Sequence, residues 1–205
     1  AFGALVMTDS QVVDNASANS AGGGRAVGAA TITGSLFSGN VAGGGSGALY
    51  AISGGDISRS RFVDNRGNGG GGGAIYIESG AATIADSLFS RNQSSSPGTA
   101  LNIVTPGAVT VTRTTIRDGV AGPVLSAIDA GGNGAVTVTN SIVADAEEGI
   151  HTRGTTIVTQ NHNLFSGIGA DMVGAAGTFV GGTGTLTGLD PLFVSPGTDD
   201  LRLQL

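Results

Sequence analysis

Apolar and polar positions recur along this chain in blocks of about 25 residues, and not at helical spacing. A six-residue phrase marks each block: a small hydroxyl residue, an alternating apolar stretch and a final asparagine. It reads SQVVDN at 10–15, SLFSGN at 35–40, SRFVDN at 60–65 and SLFSRN at 87–92. Decayed forms follow as TTIRDG at 114–119 and SIVADA at 141–146. A period of roughly 20–50 residues indicates repeats that stack on one another.

Each block contains two or three short apolar runs, rich in β-branched residues and separated by Gly, Asn and Asp, which indicates strands. The large apolar residue of the phrase recurs at spacings of 25, 25, 27, 27 and 27. This arrangement predicts an all-β chain, a single right-handed parallel β-helix of about eight coils, since parallel crossovers are right-handed. We expect one domain at 1–205, with regular coils at 7–146 and irregular coils at 147–205.

Equivalent residues of successive coils stack about 4.8 Å apart in such a fold, so each column has a structural meaning. The aromatic residues of the phrase are predicted to form a ladder inside the rod: Phe37, Phe62 and Phe89. Its asparagines are predicted to form an amide ladder at a turn: Asn15, Asn40, Asn65 and Asn92. Asparagine suits a turn because it tolerates left-handed geometry and its side chain can bond nearby backbone.

The repeat loosens beyond residue 146. The run at 156–167 predicts a longer, irregular coil with Phe165 inside, and Phe193 is predicted to be the last inward anchor. Charged residues of the earlier coils form two columns in which the sign alternates, so cross-strand pairs account for most arginines. The members of these columns are Arg59, Asp86 and Arg113, and then Asp64, Arg91 and Asp118.

Composition narrows the function classes. The net charge is −6 and Cys and Lys are absent, which excludes a thiolate metal site and disfavours a nucleic-acid partner. No apolar stretch approaches the roughly 18 residues of a membrane span. Glycine, at 38 of 205 residues, clusters between the repeats, and these runs lack the residues of a phosphate-binding loop. We expect a secreted or cell-surface bacterial protein and, because the chain opens without Met, a piece of a longer one.

The FxxN phrase followed by a GG-A-[IL]-Y run resembles the repeats of chlamydial polymorphic membrane proteins and of other bacterial right-handed parallel β-helix surface proteins. The match runs from Phe37 and Asn40 to GALY at 47–50, and from Phe62 and Asn65 to GGAIY at 72–76. The closing DPLFVSPGTDDLRLQ resembles the end of β-helix domains in large secreted bacterial proteins. The resemblance implies surface display, adhesion or, in some relatives, polysaccharide cleavage, and it carries over no catalytic residue.

We therefore expect a non-enzymatic extracellular or cell-surface scaffold, a stalk or adhesin-like module. Its expected partners are polysaccharide or a host or neighbouring cell surface, with end-to-end or side-by-side self-association as a further contact. Tyr50 and Tyr76, the only tyrosines, are predicted to stack outward in one column and form a candidate ligand face for sugars. No catalytic, cofactor or metal residue is assigned.

A carbohydrate-active enzyme, either a polysaccharide lyase or a hydrolase, is the first alternative. A hydrolase needs two carboxylates about 5–9.5 Å apart, and Asp118 and Asp145 lie one coil apart in the repeat. The same pair could bind Ca²⁺. The more distant pair Asp14 and Asp64 is expected near 10 Å. His151, close in sequence to two glutamates, is expected at the surface, as is His162.

An ice-binding protein is the second alternative, since a flat threonine array can match an ice lattice. Pairs with the pattern T-x-T would lie on one face: Thr31 and Thr33, Thr110 and Thr112, Thr137 and Thr139. The array is interrupted by Asp56, Ser58 and Ala85. High strand propensity explains threonine at these positions without ice.

Overall fold

The structure of the protein is a computed structural model that describes residues 3–117, 126–174, 177–198 and 200–204. Within these ranges the chain forms short strands joined by turns, with one 3-10 turn at Pro196–Thr198. The strands wind into a right-handed parallel β-helix whose two longest sheets have eight strands each. The predicted all-β solenoid of about eight coils is confirmed. No helix in the described ranges is long and apolar enough to cross a membrane.

Three long sheets form the sides of the coil, and a short corner sheet lies between the second and the third. Sheet 1 contains β1 (Leu5–Thr8), β5 (Ala30–Thr33), β9 (Gly55–Ser58), β13 (Ala82–Ala85), β17 (Val109–Thr112), β20 (Ala135–Thr139), β23 (Ile157–Asn161) and β26 (Thr178–Gly181). Sheet 2 contains β2 (Gln11–Val13), β6 (Leu36–Ser38), β10 (Arg61–Val63), β14 (Leu88–Ser90), β18 (Thr115–Arg117), β21 (Ile142–Ala144), β24 (Leu164–Ser166) and β27 (Leu186–Thr187). Sheet 3 contains β4 (Gly24–Ala26), β8 (Leu49–Ala51), β12 (Ile75–Ile77), β16 (Leu101–Ile103), β19 (Ser126–Ala130), β22 (Glu148–Thr152) and β25 (Ala170–Gly174). The corner sheet contains β3 (Ala16–Ser17), β7 (Val41–Ala42), β11 (Arg66–Gly67) and β15 (Gln93–Ser94).

The interior holds one apolar column behind sheet 2. Phe62 pairs in parallel register with Phe37 on one side and Phe89 on the other. All three rings are fully buried, and neighbouring rings stack with centroids 5.1 and 4.9 Å apart. Ile116 continues the column. Because a parallel sheet repeats its register from coil to coil, one aromatic position in the repeat becomes a continuous stack.

A column of asparagines, buried at every member except the exposed Asn15, fastens the first four coils together at the corner that follows sheet 2. The Asn65 side-chain oxygen accepts hydrogen bonds from the backbone N–H and the side-chain amide of Asn40, at 3.1 and 2.9 Å. The Asn65 amide in turn donates to the carbonyl of Phe37 at 3.0 Å. Asn15 makes the same two contacts with Asn40, and Asn65 makes them with Asn92. The column satisfies buried backbone groups at the turn, which would otherwise cost free energy.

Each of the two corners that flank sheet 2 has a position with left-handed backbone geometry, and charged residues lie at these positions in several coils. Asp86 and Arg113 stack at the first corner with φ of 52° and 48° and are joined by two hydrogen bonds of 2.6 and 2.8 Å. Asp64 and Arg91 are joined in the same way at the second corner. The alternating charges therefore pair as predicted at these positions, whereas Asp118 lies outside the described residues.

The corner between sheets 2 and 3 differs along the rod. In the first four coils it contains a strand of the corner sheet, and in the first three of these coils it also contains a glycine-rich stretch. A Cβ added at Gly47 would lie 2.8 Å from the carbonyl carbon of Arg66 and still closer to the carbonyl oxygen of Gly73, so glycine is needed there for close backbone packing. Later, β21 ends at Ala144 and β22 begins at Glu148, and residues 145–147 alone make the turn.

The coil after residue 146 is shorter than its predecessors, so the predicted longer coil at 156–167 was wrong. The backbone N–H of Ser141 donates to Asn163 across 22 residues of chain, whereas equivalent bonds in earlier coils span 25 or 27 residues. Phe165 is buried and pairs in register with Val143. This coil has fewer residues at its corner than earlier coils, while its strands keep their length. The repeat period therefore changes in the sequence although the sheets continue in register.

The closing segment does not continue the interior column. The strands β28 (Phe193–Ser195) and β29 (Asp200–Leu203) form an antiparallel hairpin. Phe193 and Leu201 pack with Ala144 in a second apolar cluster, separate from the main core. The prediction of Phe193 as an inward anchor was therefore wrong. The outer face of sheet 2 is apolar at this point, and the hairpin covers it from outside.

Candidate functional site

One residue from each strand of sheet 3 points outward in a single column. Parallel register sets the column, because each central residue pairs with the central residue of the next strand. This outer column of sheet 3 consists of Arg25, Tyr50, Tyr76, Asn102, Asp129, His151 and Val173. It changes from aromatic to charged along the rod.

The tyrosine face, Tyr50 and Tyr76, lies in the second and third strands of sheet 3. The two ring centroids are 5.0 Å apart and the ring planes are tilted by 48°. The Arg25 guanidinium carbon lies 5.5 Å from the centre of the Tyr50 ring, a cation–π distance. The Tyr50 hydroxyl donates to Glu78 at 2.8 Å. The rings are thus held in place from both sides while remaining partly exposed.

A depression of about 140 Å³ adjoins the tyrosine face. Its other walls are the glycine-rich corner loops at 44–45 and 69–71 together with Ser20. Loops without side chains leave backbone N–H and carbonyl groups open to a ligand. The depression therefore combines aromatic rings with backbone hydrogen-bonding groups, as small-ligand sites do.

The surroundings of Tyr50 keep its hydroxyl protonated at all ordinary pH values. Partial burial and, after it, the hydrogen bond to the Glu78 carboxylate together raise the pKa of Tyr50 to about 12. Burial also raises the pKa of Tyr76. Both hydroxyls are hydrogen-bond donors, and neither is a base or a nucleophile near neutral pH.

A charged cluster of Asp129, Glu148, His151 and Arg153 occupies the later part of the same column. Asp129 is fully buried, and Arg153 donates to its Oδ1 from Nε at 3.1 Å and to its Oδ2 from Nη2. Arg153 Nη2 also lies 3.5 Å from Asn102 Oδ1. Burial raises the pKa of Asp129, although Arg153 opposes that rise. A buried carboxylate held in a bidentate pair cannot reach a substrate.

His151 is the titratable member of the charged cluster that is most open to solvent beside the exposed Arg153, with its side chain 23% exposed. Its Nδ1 lies 3.5 Å from Asp129 Oδ1 and 3.7 Å from Glu148 Oε2. Neither Nδ1 nor Glu148 Oε2 has a hydrogen-bond partner among the described residues. The cluster therefore positions one accessible imidazole beside two carboxylates.

Other residues predicted as chemical candidates lie apart. Asp118 lies outside the described residues, and Asp145 is bound by Arg117 at 2.7 Å. His162 is exposed at a corner of sheet 2, with a φ of 55°, remote in the coil from His151. Within the ranges that the structure describes, no group of three or more His, Asp or Glu side chains is placed to hold a metal ion.

The threonine pairs lie on the outer face of sheet 1, where Thr110 pairs with Thr137 and Thr112 with Thr139. The first row has two further members, Thr83 and Thr159, which are not part of a T-x-T pair. Asp56, Ser58 and Ala85 occupy the rows between the threonine pairs. The rows are therefore interrupted in the third and fourth strands of the sheet.

Sequence analysis did not identify Asn102, Asp129 or Arg153 as site residues. The aligned apolar positions Leu49, Ile75 and Leu101 carried the signal, since Tyr50, Tyr76 and Asn102 directly follow them. Extending that alignment to Ile128 places Asp129 in the same column. Arg153 carries no such signal, because it follows β22 and reaches the column from the side.

Comparison of this chain with known protein families, with curated proteins and with solved structures found no match.

Proposed function

We propose that this chain is a non-enzymatic β-helix scaffold displayed outside a bacterial cell, a stalk or adhesin-like module that binds carbohydrate on the tyrosine face. The observation that carries the proposal is the outward pair Tyr50 and Tyr76, in register beside a glycine-walled depression. Tyrosine suits a wet binding face because its ring is apolar and its hydroxyl is polar.

The geometry of the tyrosine face suits a sugar chain that follows the rod. Two rings one coil apart offer successive apolar surfaces, and their 5.0 Å separation is held by the sheet. Glu78 and the open backbone of the glycine loops supply acceptors and donors for sugar hydroxyls. A rigid platform also limits the ordering cost of binding.

The extracellular and bacterial part of the proposal rests on composition and repeat chemistry. Absence of Cys and Lys, a net charge of −6 and the repeated FxxN phrase are all typical of displayed β-helix repeats. In a solenoid each coil contacts only its neighbours, so length can be added without changing the fold, which suits a stalk.

Tyrosine fluorescence offers a direct test, because the chain has two tyrosines and no Trp. Neutral and acidic oligosaccharides should be titrated into the purified protein while this emission is followed. We expect a saturable change with at least one glycan, and about tenfold weaker binding in Tyr50→Ala and Tyr76→Ala as measured by calorimetry. Thr83→Ala, on the exposed face of sheet 1, is the matched control. Unchanged affinity in both tyrosine variants would refute the tyrosine face.

A carbohydrate-active enzyme is the second candidate, favoured by the charged cluster. Because Asp129 is buried and paired, His151 is the residue that would act as base. Glycans incubated with the protein should be sized before and after. Shortened chains that disappear in His151→Gln, but persist in Thr83→Ala, would replace the scaffold by an enzyme; unchanged chain lengths support the scaffold.

A further inference from the structure

A groove of about 610 Å³ lies between sheet 2 and the C-terminal hairpin. Four of the nine arginines of the chain line it, Arg59, Arg61, Arg113 and Arg202. Its volume falls within the roughly 300–1,000 Å³ of small-molecule sites. This concentration of positive charge is unexpected in a chain whose net charge is −6.

Most arginines of the described chain have a carboxylate partner. Five of them pair with aspartates, namely Arg91, Arg113, Arg117, Arg153 and Arg202. Arg25 packs on the Tyr50 ring, and Arg66 donates to Asn68. The guanidinium groups of Arg59 and Arg61, by contrast, make no hydrogen bond or ion pair with any residue that the structure describes, and both residues line the groove.

The fold holds these two arginines in an open position. Arg61 is an outward residue of β10 and is paired in register with Leu36 and Leu88. Arg59 occupies the left-handed corner two residues earlier, with φ of 48°. Ser60 between them is buried. The backbone therefore fixes the positions from which the two arginine side chains extend, on either side of one buried turn residue.

The carboxylates of the groove are already engaged. Asp86 is bound by Arg113 and Asp200 by Arg202, each through two hydrogen bonds. The groove therefore carries two positive charges beyond those that its own aspartates neutralise. A guanidinium group binds a carboxylate or a sulfate through two parallel hydrogen bonds.

The remaining residues that line the groove are complementary to the surface of a sugar ring. Thr115 and Thr198 bring hydroxyl groups beside the arginines, and Leu88 and Leu201 supply an apolar floor. Hydroxyl donors and acceptors suit the hydroxyls of a sugar ring, while the floor suits its apolar face.

We propose that this arginine groove binds the carboxylate or sulfate groups of an acidic polysaccharide through Arg59 and Arg61. The groove lies on sheet 2, away from the tyrosine face of sheet 3, and the proposal does not depend on that face. A chain with two separate glycan contacts would gain avidity for a polymer long enough to reach both.

The test uses the whole chain and three labelled oligosaccharides of equal length: a polyuronate, a sulfated glycan and a neutral glycan, with binding followed by fluorescence anisotropy. We expect the polyuronate, the sulfated glycan or both to bind, the neutral glycan to bind at least tenfold more weakly, and affinity to fall as salt is raised. The preferred anionic probe identifies the group that the site takes.

Arg59→Asn removes the charge while keeping a residue that tolerates left-handed geometry, and Arg61→Gln removes the second charge. Each is expected to weaken binding about tenfold. Arg66→Gln is the matched control, since Arg66 is exposed and outside the groove. Circular dichroism should show that all three variants fold like the parent.

Four results would overturn the proposal: no binding of either anionic probe, an equal loss in Arg66→Gln, equal binding of oligoglutamate, or full loss of binding in Tyr76→Ala. The third would indicate an acidic-peptide site instead. The fourth would place the acidic glycan on the tyrosine face. Acidic binding that persists in Tyr76→Ala supports the groove even if the tyrosine face proves inactive.

Discussion

The first four coils and the coils after residue 126 share one strand register but present different chemistry. The first four have a corner with its own small sheet, and glycine-rich loops of that corner form a wall beside Tyr50 and Tyr76. In the later coils, where residues 145–147 make the same turn, the outer column of sheet 3 carries Asp129 and His151. A parallel β-helix can thus exchange its corners and outer columns while its strands keep their register.

The corner and the asparagine ladder end together. Asn92 is the last buried asparagine of that column, and β15 follows it as the last strand of the corner sheet. In the later coil Ala146 occupies the equivalent position and joins the apolar core. A wide corner exposes turn amides to the interior and needs amide partners, whereas a tight corner is closed by an apolar residue.

The largest expected effect is on the aromatic ladder of the first region. Phe62→Ala should lower the free energy of unfolding by about 3–5 kcal/mol, because it opens a cavity and removes two ring contacts. Phe165→Ala in the later region, where the register partner is Val143, should cost about 1 kcal/mol less. Urea unfolding followed by circular dichroism measures both. A loss under about 1 kcal/mol for Phe62→Ala would show that the aromatic ladder contributes little to stability.

The asparagine ladder should show the next largest effect. Asn65→Ala leaves the backbone N–H of Asn40 without its side-chain acceptor and removes the bond to the Phe37 carbonyl, so we expect a loss of about 2–3 kcal/mol. Asn68→Ala, an exposed asparagine of the same coil, is the control and should change stability by less than about 0.5 kcal/mol. Equal effects in the two variants would show that the ladder is not what holds this corner.

The glycine corner can be challenged separately. Gly47→Ala forces the backbone of the corner apart and should lower the free energy of unfolding by about 1–3 kcal/mol. Gly197→Ala, where an added Cβ meets nothing within 4 Å, should be close to neutral. Thermal unfolding compares the two variants. A neutral Gly47→Ala would mean that the corner tolerates side chains and that close backbone packing does not explain its glycines.

The smallest expected effect concerns the later region and depends on pH. Burial raises the pKa of Asp129, so its ionisation disfavours the fold; the penalty is absent below the unfolded pKa and complete above the folded one. The free energy of unfolding of the parent, relative to Asp129→Asn, should therefore fall as pH rises from about 3 through the raised pKa. The fall is about 1.4 kcal/mol for each pH unit between the two pKa values.

Asp56→Asn, which also removes one aspartate but on the exposed face of sheet 1, is the control for the pH series. Urea unfolding at a series of pH values measures all three proteins. If the free energy of unfolding of the parent, relative to Asp129→Asn, instead rises with pH, the bidentate pair with Arg153 outweighs burial and the charged cluster is stabilising.

The repeat phrase was sufficient to predict the class of fold, because a parallel solenoid converts sequence period directly into spatial register. Phe62 is followed by Phe89 after 27 residues of chain, and the two rings lie 4.9 Å apart. Local chemistry also carried over at the corners, where opposite charges one coil apart meet as Asp86 and Arg113 do.

Three features could be seen only in the tertiary structure: the hairpin over sheet 2, the charged cluster and the arginine groove. The hairpin that carries Phe193 folds back over sheet 2, which no local pattern specifies because the contact joins segments about 50 residues apart. The charged cluster likewise depends on Arg153 reaching Asp129 and Asn102 in earlier coils. The arginine groove exists only because that hairpin stands beside Arg59 and Arg61. Sequence periodicity determines contacts between residues at the same position in successive coils. Contacts between residues at different positions depend on which segments the folded chain brings side by side.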